Sequence, residues 1–130
     1  MNIGLDMMGG DFAPLEAVKG IKLFLGKRVQ GIGNSEIHLT LFGDKEQIQQ
    51  LLEEHNVPQD NIRIVHTSQV IAMEEHPTKA LREKQDSSIA VGFGYLAKGL
   101  VDAFISAGNT GAMMVGSLFS IKAIEGIQRP

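Results

Sequence analysis

Val101-Asp102-Ala103-Phe104-Ile105-Ser106-Ala107-Gly108-Asn109-Thr110-Gly111 is a short apolar run that ends in a glycine-rich turn. The same arrangement stands near the start, in Asn2-Ile3-Gly4-Leu5-Asp6-Met7-Met8-Gly9-Gly10-Asp11. Each apolar run reads as a buried strand and each turn as its handover to a helix. Glycine permits positive φ and lets backbone amides approach a ligand closely. A helix that starts just after such a turn aims free N–H groups and the positive end of its dipole outward. Two such turns at the same end of one parallel sheet make an anion-binding crevice.

Working outward, residues 2–6 form the first strand. Pro14 suits the first turn of the helix that follows, where its missing N–H costs nothing. Ala17, Val18, Ile21, Phe24 and Leu25 recur at helical spacing and put one face of that helix inward. Gly31-Ile32-Gly33-Asn34-Ser35 is a loop by composition. Ile37 to Phe42 is the second strand, Ile48, Leu51 and Leu52 mark the next helix, and Ile62 to Val65 is the third strand. The rhythm breaks over 67–86, where Val70 to Met73 fits either an extended segment or a helical turn and Pro77 opens a short helix. Asp86-Ser87-Ser88 is an N-cap pattern. The helix behind it carries Ile89, Phe93, Leu96 and Ala97 and ends at Gly99. The fourth strand follows at 102–106 and the last helix at about 110–125. This alternation predicts an α/β chain with a three-layer, Rossmann-like parallel sheet. The 130 residues read as one α/β domain, and the pattern stops where another strand is expected, as in the N-terminal part of a larger protein.

Composition removes several classes of function. Apolar residues make up 43%, enough for one packed core, and the formal net charge of −3 leaves no electrostatic footprint for nucleic acid. No cysteine is present, so thiol nucleophiles and cysteine-ligated metals are out. The apolar stretch from Ala112 to Ile124 is shorter than the roughly 20 residues of a membrane span. His38, His55, His66 and His76 show no metal-ligand spacing, and of them only His66, at the end of the third strand, stands at the crevice edge. Gly92-Phe93-Gly94-Tyr95-Leu96-Ala97 fits a dinucleotide fingerprint in letters, yet it lies inside a helical pattern rather than between strand and helix. There is no P-loop and no nucleophile elbow.

The candidate site residues follow from the turns. Amides from Gly108 to Gly111 can cradle a phosphate or a developing oxyanion, with Asn109 and Thr110 adding side-chain hydrogen bonds; the plainer reading is a strand-to-helix turn with Asn109 or Thr110 as its cap. Asp6 sits at a strand's carboxyl end, where open α/β sheets bind ligands, and Gly9, Gly10 and Asp11 continue that turn. Asp11 also suits a helix cap. Lys79, Arg82, Lys84, Asp86, Ser87 and Ser88 gather charge and hydroxyls, either as an anion site or as a solvated face. Glu74-Glu75 is either a base or a solvated acidic turn.

In this order and at these spacings, four stretches resemble the acyl-ACP:phosphate acyltransferase family of bacterial phospholipid synthesis (the PlsX family). They are Gly4 to Pro14, Val70-Ile71-Ala72-Met73-Glu74-Glu75-His76-Pro77, Ala80 to Ile89, and Ser106 to Ala112. Met7 stands where that family usually has alanine, and family members run well over twice as far. The resemblance implies the fold shared by isopropylmalate-type dehydrogenases and phosphate acetyl- or butyryltransferases. It implies transfer of a long-chain fatty acyl group from acyl carrier protein (acyl-ACP) to inorganic phosphate, with acyl phosphate passed to a membrane glycerol-3-phosphate acyltransferase. It further implies a homodimer, in the cytoplasm or loosely on the membrane face, with no nucleotide, metal or other cofactor. On that chemistry Gly108 to Gly111 hold phosphate or the oxyanion with Asn109 donating. Lys79 and Arg82 offset phosphate charge, Ser87 and Ser88 bond the same anion, and Asp6 orients donors. A dehydrogenase-like relative and a non-catalytic phosphate- or carrier-binding module are the rival readings.

Overall fold

The computed structural model describes residues 1–26, 37–121 and 124–126. Its elements run β1 (Asn2–Asp6), α1 (Leu15–Gly26), β2 (His38–Gly43), α2 (Lys45–Glu54), β3 (Ile62–His66), α3 (Pro77–Glu83), α4 (Ser88–Ala97), β4 (Ala103–Ile105) and α5 (Thr110–Ser120). The loop expected at 31–35, and the positions 122–123 within the expected last helix, lie outside the described residues.

The four strands form one parallel sheet in the order β3-β2-β1-β4. Alternation along the strands divides the core between the two faces. On one face Met7, Leu39 and Leu41 pack with Val18 and Ile21 of α1 and with Ile48 and Leu52 of α2. On the other, Phe42 meets Tyr95 and Phe104 edge-on at ring-centroid distances of 5.0 and 5.8 Å, and Phe104 meets Phe93 at 5.3 Å. Each such pair contributes about 0.5–1.5 kcal/mol beyond its buried area. Gly4 on β1 makes room for this cluster, since a Cβ there would lie 3.0 Å from the Phe42 ring. A second core of Ile71, Ala80, Ile89, Phe93 and Ala112 joins α3, α4 and α5. Helices thus cover both faces, in the three-layer α/β arrangement.

Local chemistry sets the helix starts. Asp44 caps α2 by accepting from the Gln47 N–H at 3.0 Å, and Ser87 caps α4 by accepting from Ala90. Pro14 stands one residue ahead of α1, and its carbonyl accepts from the Val18 N–H. Two expectations shift. Phe24 is 38% exposed rather than inward, because α1 lies over the β1–β2 part of the sheet and Phe24 hangs beside the edge strand β4. The last helix ends at Ser120, capped by Ile121. Phe119 in its last turn is 79% exposed and Ile124 after it 77% exposed, so among the described residues no packed apolar face supports a longer helix. None of the described helices is long and apolar enough to cross a membrane.

Candidate functional site

The chain builds β2 and β3 on one side of β1 and then adds β4 on the other. That reversal leaves a crevice at the carboxyl ends of β1 and β4, the place where open α/β sheets take ligands. The register pairs Leu5 with Ile105, so the next residues, Asp6 and Ser106, come side by side. The Ser106 hydroxyl donates to Asp6 Oδ2 at 2.6 Å and accepts from the Gly108 N–H at 3.2 Å. Asp6 Oδ1 accepts from the Met8 N–H at 2.9 Å, which satisfies the other oxygen of a carboxylate only 5% exposed. Gly9 sits where the turns touch: a Cβ there would come within 2.6 Å of both Asp6 Oδ2 and the Gly108 carbonyl oxygen. Gly10 turns at φ +93°, in the left-handed region that favours glycine. The two glycine turns therefore meet on one rim of the sheet.

Main-chain donors are available there. Among the described residues the N–H groups of Gly9, Gly10, Thr110 and Gly111 have no protein acceptor. Thr110 and Gly111 open α5, so the dipole of an 11-residue helix points into the crevice with them.

Asn109 is 4% exposed and fully engaged. Its Oδ1 accepts from the Ala112 N–H at 3.0 Å, capping α5, while Nδ2 donates to the carbonyls of Ala72, Met73 and Glu75 at 3.0, 3.1 and 3.2 Å. The side chain expected to serve an anion is thus committed to a strap formed by residues 70–76. Around it, the Met73 thioether fills the side of Gly108 where a Cβ would be, and Pro77 does the same at Gly111. The strap is pinned at its other edge by Lys84. The Lys84 Nζ donates to Glu75 Oε2 and to the Val70 carbonyl, both at 2.6 Å, and Glu75 Oε2 also accepts from the Ala72 N–H at 2.7 Å. The Lys84 hydrogen bond, helped by the Ala72 N–H, holds the Glu75 carboxyl below its ordinary range.

The remaining candidates stand apart. Asp11 is exposed. Lys79 is exposed on α3, and Arg82 is 79% exposed, with Glu83 4.0 Å away. Arg82 lines a cavity of about 380 Å³ between α3, α4 and α5 together with Leu81, Phe93 and Phe119. Ser87 and Ser88 are buried, and the Ser87 hydroxyl donates to the Lys84 carbonyl at 2.7 Å. Lys79, Arg82, Ser87 and Ser88 make no described hydrogen bond to the two turns, and Asp11, at the end of the first, turns to solvent. His66 Nδ1 accepts from the Lys45 N–H at 3.2 Å, and His76 is the N-cap position of α3. Asp6, Gly9, Gly10, Gly108, Asn109, Thr110 and Gly111 are the ones brought together. Sequence reasoning assigned no role to Ser106 or Met73; only the strand register and the strap's path reveal them. Among the described residues no three metal-ligating side chains cluster.

Beside the turns, an apolar groove of about 330 Å³ runs along the sheet between α1 and β4, lined by Ile3, Leu5, Ile21, Phe24 and Ile105. Asp6 and Ser106 are the polar side chains in its described lining.

Residues 1–130 match the family model described as "Fatty acid synthesis protein". Proteins named "Phosphate acyltransferase" match across the whole chain. The one from Thermoanaerobacterium thermosaccharolyticum is 45% identical over 130 residues, which is 100% of this chain and 36% of that protein. Those from Caldicellulosiruptor bescii and Dictyoglomus turgidum are 42% and 43% identical, again over all of this chain and 37% of theirs. The chain therefore spans a little over a third of the length of these curated relatives.

Proposed function

This chain belongs to the fatty acid synthesis protein family, and from that premise we propose that it is the anion-binding N-terminal part of a phosphate acyltransferase. The reaction moves a long-chain fatty acyl group from acyl carrier protein to inorganic phosphate. The observation that carries this reading is the convergence of two glycine turns at the β1–β4 crevice, with amides at Gly9, Gly10, Thr110 and Gly111 that have no acceptor among the described residues.

The chemistry suits such a site. A phosphate oxygen attacks the thioester carbonyl carbon, the carbon–oxygen bond forms, and the negative charge moves to the carbonyl oxygen. Collapse of that oxyanion breaks the carbon–sulfur bond, and the carrier thiolate leaves with the electron pair. A thiol of pKa about 8.5 is a good leaving group, so a strong general acid is not required. The enzyme's task is to align two anionic reactants and to stabilise the oxyanion. Main-chain donors do both without a nucleophilic side chain. Asp6 orients them, the Asn109 clamp sets the start of α5, and Lys79 and Arg82 offset phosphate charge from α3. Ser87 and Ser88 fix the start of α4. The acyl phosphate then serves a membrane glycerol-3-phosphate acyltransferase. On this reading the enzyme works as a homodimer, in the cytoplasm or at the inner membrane face.

The test is release of free carrier thiol by the full-length protein given acyl-ACP. Release that depends on phosphate, with acyl phosphate as product, supports the reading. Tight binding of phosphate or carrier without turnover leaves only a binding module.

A further inference from the structure

The groove between α1 and β4 is apolar along its length, and its polar end is the pair Asp6–Ser106. A few convergent polar groups at the head of an apolar cleft are the usual make-up of a ligand site. The pair also bridges the two turns, since its members lie 100 positions apart in sequence. Ser106 Oγ has two acceptors in reach, Asp6 Oδ2 at 2.6 Å and the Gly108 carbonyl at 2.9 Å. The shorter, charge-assisted contact takes the single hydroxyl proton. That turns the oxygen's lone pairs toward the Gly108 N–H, which it accepts at 3.2 Å. The buried carboxylate thus sets the hydroxyl, the hydroxyl sets the Gly108 peptide, and that peptide leads into Asn109 and the open amides of Thr110 and Gly111.

We propose that Ser106 is a positioning residue for the phosphate, aiming the α5 amides through Gly108 while anchored on Asp6. This rests on the phosphate acyltransferase reading of the same crevice. Ser106 acts through its neighbours and forms no bond to the acyl group, so it differs from a serine nucleophile, which would leave an acyl-enzyme.

The full-length protein and its Ser106→Ala and Ser106→Thr variants test this, with two readouts. The first needs no turnover: the shift of the unfolding midpoint with increasing inorganic phosphate. The second is the KM for phosphate against the KM for acyl-ACP. Ser106→Ala should weaken phosphate about tenfold by both measures and leave the KM for acyl-ACP within about twofold, the scale of one lost charge-assisted bond. Ser106→Thr keeps the hydroxyl and should recover most of the loss. Wild-type phosphate affinity in Ser106→Ala overturns the proposal. So does a failure of Ser106→Thr to restore phosphate binding, whether or not Ser106→Ala folds. An acyl-enzyme trapped on Ser106 overturns it in favour of a nucleophile. Phosphate binding that follows Ser106 in a wild-type protein without acyl transfer sustains the inference and overturns the transfer reading alone.

Discussion

The side-chain amide of Asn109 donates to the carbonyl oxygen of Ala72 at 3.0 Å, joining the start of α5 to a strap 37 positions earlier in the chain. The same nitrogen reaches the carbonyls of Met73 and Glu75, and Oδ1 caps the helix. Asn109→Ala removes the cap and leaves partly buried carbonyls of the strap without their donor, a loss of about 1–3 kcal/mol. Asn109→Asp keeps the capping oxygen but replaces the donor with a charge facing three carbonyls. Urea unfolding should show both variants destabilised. Phosphate affinity should fall in both as well, because the strap and the α5 amides are set by one side chain.

Acid should loosen the strap. The Glu75 carboxyl is lowered from its ordinary pKa by the Lys84 hydrogen bond, and that of Asp86 by the Ser68 hydroxyl, which donates to Oδ2 at 2.5 Å. A carboxyl whose folded-state pKa is depressed stabilises the fold above its unfolded pKa. That stabilisation is lost as pH falls through the folded value. Wild type should therefore lose its advantage over Glu75→Gln and Asp86→Asn as pH drops below about 4. Denaturant midpoints followed from neutral to acid pH check this; a constant gap across the range contradicts it.

Two helical glycines should respond in opposite directions. Gly20 lies in α1 and a Cβ there would meet nothing within 4 Å, so Gly20→Ala should stabilise by about 0.5–1 kcal/mol. Gly92 lies in α4 against the Phe104 ring, which a Cβ would strike. Gly92→Ala should cost about 1–3 kcal/mol through overpacking. Thermal unfolding of the pair reads both.

Lys79 and Arg82 are exposed, so Lys79→Ala and Arg82→Ala should change stability by less than about 0.5 kcal/mol. Their charges should still matter to phosphate. Each variant should raise the KM for phosphate several-fold, up to about tenfold, and the increase should shrink at high salt. An unchanged KM in both assigns the compensation of phosphate charge to other groups.

Much of the architecture could be read locally. Apolar runs, the cap pattern Asp86-Ser87-Ser88, the short helix behind Pro77 and the two glycine turns all depend on neighbours a few positions away. The false fingerprint at Gly92 was also legible, because its helical surroundings are local. The role of Glu75 was not, since its spacing from Lys84 matches no regular element. Nor was the commitment of the Asn109 side chain, which depends on where the strap passes.

The chain alone thus indicated where most strands and helices fall and that glycine turns follow the first and last strands. Tertiary structure decided that those turns meet. It did so through the strand order β3-β2-β1-β4 and the register that sets Asp6 beside Ser106. The physical reason is range. Torsional preference, capping and periodicity act within a turn or two of chain, whereas a hydrogen bond across 100 positions exists only once the whole sheet has chosen its neighbours.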